Sequence, residues 1–301
     1  MIEFQRKIMG DPVRNEALVR ALKKVIVPGK TTVSDIGSGS GFLSFVASKL
    51  GAKQCYLYEQ SSALQLSKKL AKENGITNCT FIPKYSTEVK SPVQTDIVIS
   101  ETLGNYALEE HMLETLMDAK RFLKPGGTQV PSGLTQFVCP VISSRPWDEI
   151  NVWKNVGHGL TFPSAESITL QNMYVKTLMT DELLPNGTLV WDTIDFRKSE
   201  KSVRNAKVTW KLSKSEVIYG YALFWKCELV PGISLSTKPG DALTHWEQIF
   251  LPLLKPISVK ANDQLQLQLT SDSRPHIGMR VTWKTTHGTT VQSLDSEAGR
   301  T

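Results

Sequence analysis

The chain has 301 residues, 40% of them apolar and 21% charged, and carries a formal net charge of +6. That is an ordinary globular composition, long enough for one large domain or two of average size. No run is long and apolar enough to span a bilayer, and the segment from Met1 to Lys7 lacks an apolar core with a cleavage site behind it, so a cytoplasmic protein with no membrane contact is expected. The basic residues are scattered. Their densest stretch, Arg197 to Lys214, alternates with Val203, Val208, Trp210 and Leu212 like the wet face of a strand, which argues against nucleic acid as a partner. Cys55, Cys79, Cys139 and Cys227 match no zinc spacing and read as buried free thiols, so no metal site is expected.

In chain order, the first expected element is a helix from Pro12 to about Val27, with Asp11 as N-cap and Pro12 at the first helical position. A strand at 33–36 then ends on Asp35 and Ile36 and opens into Gly37, Gly39 and Gly41. Dinucleotide folds carry Gly-x-Gly-x-x-Gly at such a turn, where a helix N-terminus meets a pyrophosphate. Here the glycines are tighter by one residue and follow a carboxylate, which has no use for a phosphate. A cationic ligand passing close to the backbone suits it, and S-adenosylmethionine, a sulfonium with an α-ammonium group, fits. The helix from Phe42 to Leu50 is apolar at 42, 43, 46, 47 and 50, one face of a helical wheel. The next strand, 55–59, ends in Glu59, placed about twenty residues beyond the glycines where an acid holds ribose hydroxyls.

Helices at 61–74 and 109–123 and strands at 79–83 and 96–100 continue the alternation, and Lys124-Pro125-Gly126-Gly127 stops the last helix. This is an α/β pattern with a mostly parallel, Rossmann-like sheet over residues 1–130. From 131 to 301 the texture changes to β-branched and aromatic runs broken by Pro and Gly. Leu134–Ile142, Ser167–Val175, Leu189–Phe196, Val208–Leu212, Val217–Leu229, Ile257–Val259, Gln264–Leu269 and Met279–Trp283 predict an antiparallel barrel or sandwich. An excursion interrupts it at about 155–185, and the tail from Gly288 is polar and expected to fray.

The strand at 96–100 delivers Glu101 to the ligand end of the sheet, and Glu110 stands nine residues later at the start of the next helix. Two carboxylates flanking one loop can face a common point. Glycoside hydrolysis would use such a pair but leaves the glycine turn and Glu59 without a role. A planar guanidinium, with five N–H donors in a rigid fork, suits them better. Glu110 could instead simply favour the helix dipole, and Glu109 competes for its position.

In these motifs the chain resembles the protein arginine methyltransferase family. The resemblance rests on Asp35 to Gly41, Glu59, the double-Glu segment from Ser100-Glu101 to Glu110-His111-Met112-Leu113, and Thr244-His245-Trp246. It implies methyl transfer from S-adenosylmethionine to an arginine guanidinium of a protein or peptide, with Glu101, Glu110, His245 and Asp11 as catalytic residues and Asp11 partnering His245 across the site. It further implies that Arg14 meets the cofactor's carboxylate and that Gln5 stands at a cofactor-contacting position. Ser86 and Thr87, with a Glu shifted to Glu88, would lie by the adenine. Met112 and Trp246 would border the substrate, and an arm near 156–186 would support a homodimer. Two features depart from the family: its N-terminal Tyr-Phe-x-x-Tyr helix has no counterpart, and Thr102-Leu103 alter the wall of the double-Glu loop. The alternatives are a methyltransferase acting on a small guanidine or amine, and a silent methyltransferase-like binding module.

Overall fold

A computed structural model describes residues 2–300. The chain opens with helices α1 (Ile2–Met9) and α2 (Pro12–Val25). It then alternates β1 (Thr32–Ile36), α3 (Phe42–Lys49), β2 (Gln54–Tyr58), α4 (Ala63–Glu73), β3 (Cys79–Ile82), β4 (Thr95–Ile99), α5 (Met112–Ala119) and β5 (Leu123–Val130). The five strands form one parallel sheet in the order β3-β2-β1-β4-β5. Its strand order reverses between β1 and β4, and a crevice opens at the carboxyl ends of strands that diverge in this way. The glycine turn after β1 and Glu101 after β4 flank that crevice. α2 is anchored by Ala17, Leu18, Ala21 and Leu22, buried at helical spacing, and Asp11 caps it by accepting the Arg14 N–H at 2.9 Å.

The second half comprises β6 (Gly133–Val141), α6 (Arg145–Ile150), α7 (Pro163–Thr169), β7 (Tyr174–Lys176), β8 (Leu189–Asp195), β9 (Val203–Lys211) and β10 (Glu216–Val230). It finishes with β11 (Ile233–Ser236), β12 (Gln248–Val259), β13 (Gln264–Asp272), β14 (Arg280–His287) and β15 (Thr290–Asp295). One antiparallel sheet runs β7-β12-β10-β6-β8, with β11 beside β10, and the other runs β15-β14-β13-β9. Between them lie the buried Tyr221, whose hydroxyl is 3.0 Å from Thr285 Oγ1, and Trp283. The sheets are tied to each other by Trp283 Nε1, which donates to the Pro252 carbonyl at 2.8 Å, and by the Gln292 side chain, which bonds both backbone groups of Lys255. Closing one sheet onto the other makes the unit barrel-like. Among the described residues no helix is long and apolar enough to cross a membrane.

Several expected elements differ. The helix expected at 109–123 begins only at Met112, because Glu110 and His111 adopt left-handed backbone, φ 58° and 55°. It ends at Ala119, and the Lys124–Gly127 stretch lies within β5, where pairing with β4 shifts register rather than ending. Ser167–Val175 is not a strand. Pro163 starts a helix there, and only Tyr174–Lys176 pairs with β12. The polar tail is not frayed through 290–295: it pairs along β14 and buries Leu294. Its polarity belongs to the outward face of an edge strand.

Trp283 fills the barrel core and satisfies its own N–H, so Trp283→Ala should lose about 3–5 kcal/mol of stability in urea unfolding. A loss below about 1 kcal/mol would show that the two sheets do not depend on it.

Candidate active site

The crevice at the β1/β4 switch is a cavity of about 330 Å³, within the range of small-molecule sites. The wall includes Gln5, Arg14, Asp35, Gly37, Gly39, Glu59, Glu101 and Glu110 among the expected residues. Phe4, Ile8 and Met9 of α1, together with Ser38, Ser40 and Thr102, complete much of the remainder. Gly41 is not in the wall. Its φ of 87° starts α3, and a Cβ there would collide with Ser67 Oγ and the Phe45 ring, so it serves packing. Ser86, Thr87 and Glu88 also lie outside the wall, in a short 3₁₀ turn where Thr87 and Glu88 are exposed and Glu88 accepts the Tyr85 N–H.

Glu59 and Asp35 each have defined local partners. Glu59 accepts the Gly39 N–H at 2.9 Å and the Ser61 N–H at 2.7 Å, so the glycine turn itself orients the carboxylate. Asp35 is buried and accepts the Ser44 hydroxyl at 2.7 Å. Burial dominates and raises its carboxyl to about 6, with Glu59 adding to the rise. Burial first and then the charge of Glu101 push the Glu110 carboxyl up as well. Glu110 and His111 are two consecutive non-glycine residues in left-handed backbone, a conformation costing about 1–2 kcal/mol per residue. Strain of this kind concentrates where a side chain must be aimed.

Arg14 reaches across the crevice to Glu101. Its Nε and Nη2 both donate to Glu101 Oε2, the former at 2.7 Å, while Nη1 donates to Asn15 Oδ1 at 2.8 Å. Both ion-pair partners are nearly buried, at 5% and 7% exposure. Glu101 Oε1 accepts the Leu103 N–H at 3.2 Å. The carboxylate at the end of β4 therefore already grips a guanidinium.

His245 approaches from the barrel half. Asp11 Oδ2 accepts both its backbone N–H, at 2.7 Å, and ring Nδ1, at 2.8 Å. An ionised carboxylate only accepts, so Nδ1 carries the proton and Nε2 keeps a free lone pair. Burial lowers the His245 ring in spite of Asp11, so the imidazole is neutral at pH 7. Burial also opposes ionisation of Asp11, but the N–H groups of Arg14 and His245 outweigh it and hold the carboxyl low. The Trp246 ring lies 4.0 Å from the His245 ring, centroid to centroid, and Trp246 Nε1 donates to the Leu103 carbonyl at 2.7 Å. Neither His245 nor Trp246 is in the cavity wall, and Met112 is fully buried at the start of α5.

Sequence reasoning missed the residues that hold the double-Glu loop in place. Trp225 Nε1 donates to the Gly104 and Asn105 carbonyls, both at 3.2 Å, and Asn105 Oδ1 accepts the Glu247 N–H at 2.8 Å. Trp225 lies 121 and 120 positions from these partners, and nothing local in the sequence marks it.

A family model described as the arginine methyltransferase oligomerization subdomain matches residues 135–287, and one described as ribosomal protein L11 methyltransferase (PrmA) matches residues 16–147. The histone-arginine methyltransferases CARMER of Drosophila mojavensis and Drosophila ananassae are each 26% identical over 276 residues, 87% of this chain and 51% and 52% of their own. The chain thus spans about half the length of the curated relatives it matches. Among solved structures, the Trypanosoma brucei PRMT1 enzyme-prozyme heterotetrameric complex with AdoHcy superposes with TM-score 0.86 at 20% identity, covering 98% of both chains. Arabidopsis thaliana protein arginine methyltransferase 10 does so with TM-score 0.81 at 22% identity, again over 98% of both. These likenesses define a Rossmann-like methyltransferase fold carrying an antiparallel barrel-like half. The arginine methyltransferase model covers half of the chain, and the chain belongs to the protein arginine methyltransferase family.

The raised Asp35 carboxyl has a consequence for folding. Unfolded it ionises near 3.8, folded at about 6, so the native state holds the extra proton and loses stability as pH rises through that window. The loss should reach about 2–3 kcal/mol. In urea titrations Asp35→Asn should lack this component, so its stability relative to the parent should rise between about pH 4 and pH 6. A constant difference across that range would exclude the assignment.

Proposed function

We propose that this chain transfers a methyl group from S-adenosylmethionine to a guanidinium nitrogen of an arginine in a protein or peptide. The observation carrying this reading is that Glu101 and Glu110 share one cavity wall and that Glu101 already binds a guanidinium, that of Arg14. The wall fits the cofactor. Ser38 Oγ and Thr102 Oγ1 are buried hydroxyls without a protein partner, and a Cβ at Gly39 would crowd the Gln5 amide at 3.1 Å. Glu59 would take the ribose hydroxyls, while Asp35 and Arg14 would face the charged amino-acid end. When bound, S-adenosylmethionine supplies a methyl group on a positively charged sulfur.

The remaining work falls to side chains. A guanidinium is a poor nucleophile because its lone pairs are delocalised and its pKa exceeds about 12. Glu101 and Glu110 would grip the fork from one side, localising charge on the nitrogens they hold and leaving the other richer in electron density. Arg14 fixes the Glu101 carboxylate for that contact. Alignment and preplaced charge then supply most of the acceleration. The released proton would pass to Glu110, whose raised carboxyl is a stronger base than an ordinary one, or to His245 Nε2. Met112 would limit the bulk of the methylated nitrogen, and Trp246 would hold the imidazole.

Glu101→Gln should reduce turnover on an arginine peptide at least about a hundredfold while S-adenosylhomocysteine still binds in calorimetry. Undiminished methylation by this variant would refute the assignment. Offering arginine peptides and free arginine together, with mass spectrometry of both, separates a polypeptide acceptor from a small guanidine.

We further propose a head-to-tail homodimer built through the arm at 156–186. Leu160 on the arm is 61% exposed, and α1, α2 and α3 border an apolar groove of about 660 Å³ that includes Val19, Phe42, Phe45 and Val46. An exposed apolar side chain and an open apolar groove on one molecule suit a second copy. Leu160→Asp should lower the light-scattering mass at micromolar concentration from dimer toward monomer. An unchanged dimer mass would remove the arm from the contact. All four cysteines are free, which suits the reducing cytoplasm that we propose as the compartment.

A further inference from the structure

Two thiols on the strands beside β1 have no part in the chemistry above. Cys55 on β2 and Cys79 on β3 are register partners on adjacent parallel strands. Their side chains therefore leave the sheet on the same face, with backbones about 4.8 Å apart. That spacing lies inside the Cα separation of roughly 4.4–6.8 Å that a disulfide needs. β3 is the sheet's edge strand, and Cys79 is half-buried there, whereas Cys55 is fully buried. The facing thiol, with burial behind it, pushes Cys55 up, and the same neighbour lowers Cys79. Cys79 is thus both the more readily ionised thiol and the one solvent can reach.

The pair is wired to the cofactor turn. Cys55 Sγ donates to the Ser44 carbonyl at 3.5 Å, and the Ser44 hydroxyl donates to Asp35 at 2.7 Å. Ser44 lies in the first turn of α3, the helix that follows the glycines.

We propose that Cys55 and Cys79 are a modification site: they form a reversible disulfide under peroxide, and the bond weakens the cofactor site. The second half rests on the methyltransferase reading given above. In the first step the Cys79 thiolate attacks hydrogen peroxide, the O–O bond breaks, hydroxide leaves and a sulfenic acid forms. Cys55 then attacks the Cys79 sulfur, giving up its proton as hydroxide is expelled and the S–S bond closes. Two thiols lose two electrons in all, and one peroxide is reduced to two waters. Turning Cys55 Sγ toward Cys79 withdraws it from Ser44, the residue that orients Asp35. Transient disulfides of this type are compatible with a reducing compartment.

The test treats the full chain with hydrogen peroxide, alkylates the remaining thiols and digests with trypsin. The peptides spanning 54–68 and 73–84 should appear joined, two hydrogens lighter than their sum, and should separate on reduction with dithiothreitol. Cys139 and Cys227, both fully buried, should be recovered alkylated after denaturation. Calorimetry with S-adenosylhomocysteine should show severalfold weaker binding to the oxidised protein, full recovery on reduction, and no peroxide response in Cys79→Val. Absence of the joined peptide, with Cys79 untouched or converted to sulfinic acid, overturns the disulfide. A joined peptide with unaltered binding overturns the link to the cofactor site. Failure of the reduced protein to bind S-adenosylhomocysteine overturns the methyltransferase reading alone, because the joined peptide is scored independently.

Discussion

Negative charge held out of water beside one small cavity is the constraint that organises this molecule. Asp11, Asp35, Glu101 and Glu110 all border or adjoin it; Asp11 and Asp35 are buried and Glu101 is largely so, while Glu110 is more exposed. Isolated carboxylates in such surroundings would take up protons, as the raised Asp35 and Glu110 carboxyls indicate. N–H donors hold the Asp11 carboxyl low, and Glu101 is paired with a guanidinium. Arg14 serves Glu101 with its side chain and Asp11 with its backbone, and His245 serves Asp11 twice. On the proposed reading, such a site takes up a flat cation with several donors.

The same donors join the two halves of the chain. Asp11 caps α2 and holds His245, so the entry to that helix is fixed by a loop of the barrel half. The double-Glu loop is gripped from the other side by two indoles, since Trp225 and Trp246 donate to the carbonyls of residues 103–105. Buried carbonyls without partners would cost about 1–3 kcal/mol each, and satisfying them from the barrel makes the loop's shape depend on the second half. The left-handed backbone at Glu110 and His111 is sustained within that frame, with His111 Nδ1 lying 3.3 Å from the Ser273 carbonyl.

Much of this was legible beforehand because it depends on short-range patterning. The glycine turn, Glu59 and the strand-end position of Glu101 follow from alternating strands and helices, whose periods are local. The exceptions have identifiable causes. Glu109–His111 reads as the start of a helix by propensity, but tertiary contacts hold it in a 3₁₀ turn with positive φ. Ser167–Val175 is rich enough in β-branched residues to suggest a strand, yet Pro163 begins a helix that runs to Thr169. Thr290–Asp295 looks like a loose tail until β14 supplies its hydrogen bonds and the barrel a place for Leu294.

Local order was thus settled by the amino-acid sequence alone: which segments alternate, where the glycines permit a close approach, and which acids stand at strand ends. Those properties depend on residues within a few positions of one another. Only the tertiary structure decided that Arg14 lies on Glu101, 87 positions away, and by which atoms Asp11 and His245, 234 apart and expected as partners from the family resemblance, form one hydrogen-bonded unit. Such partnerships are fixed by the reversal of strand order and by the closure of the barrel, and no spacing along the chain encodes either.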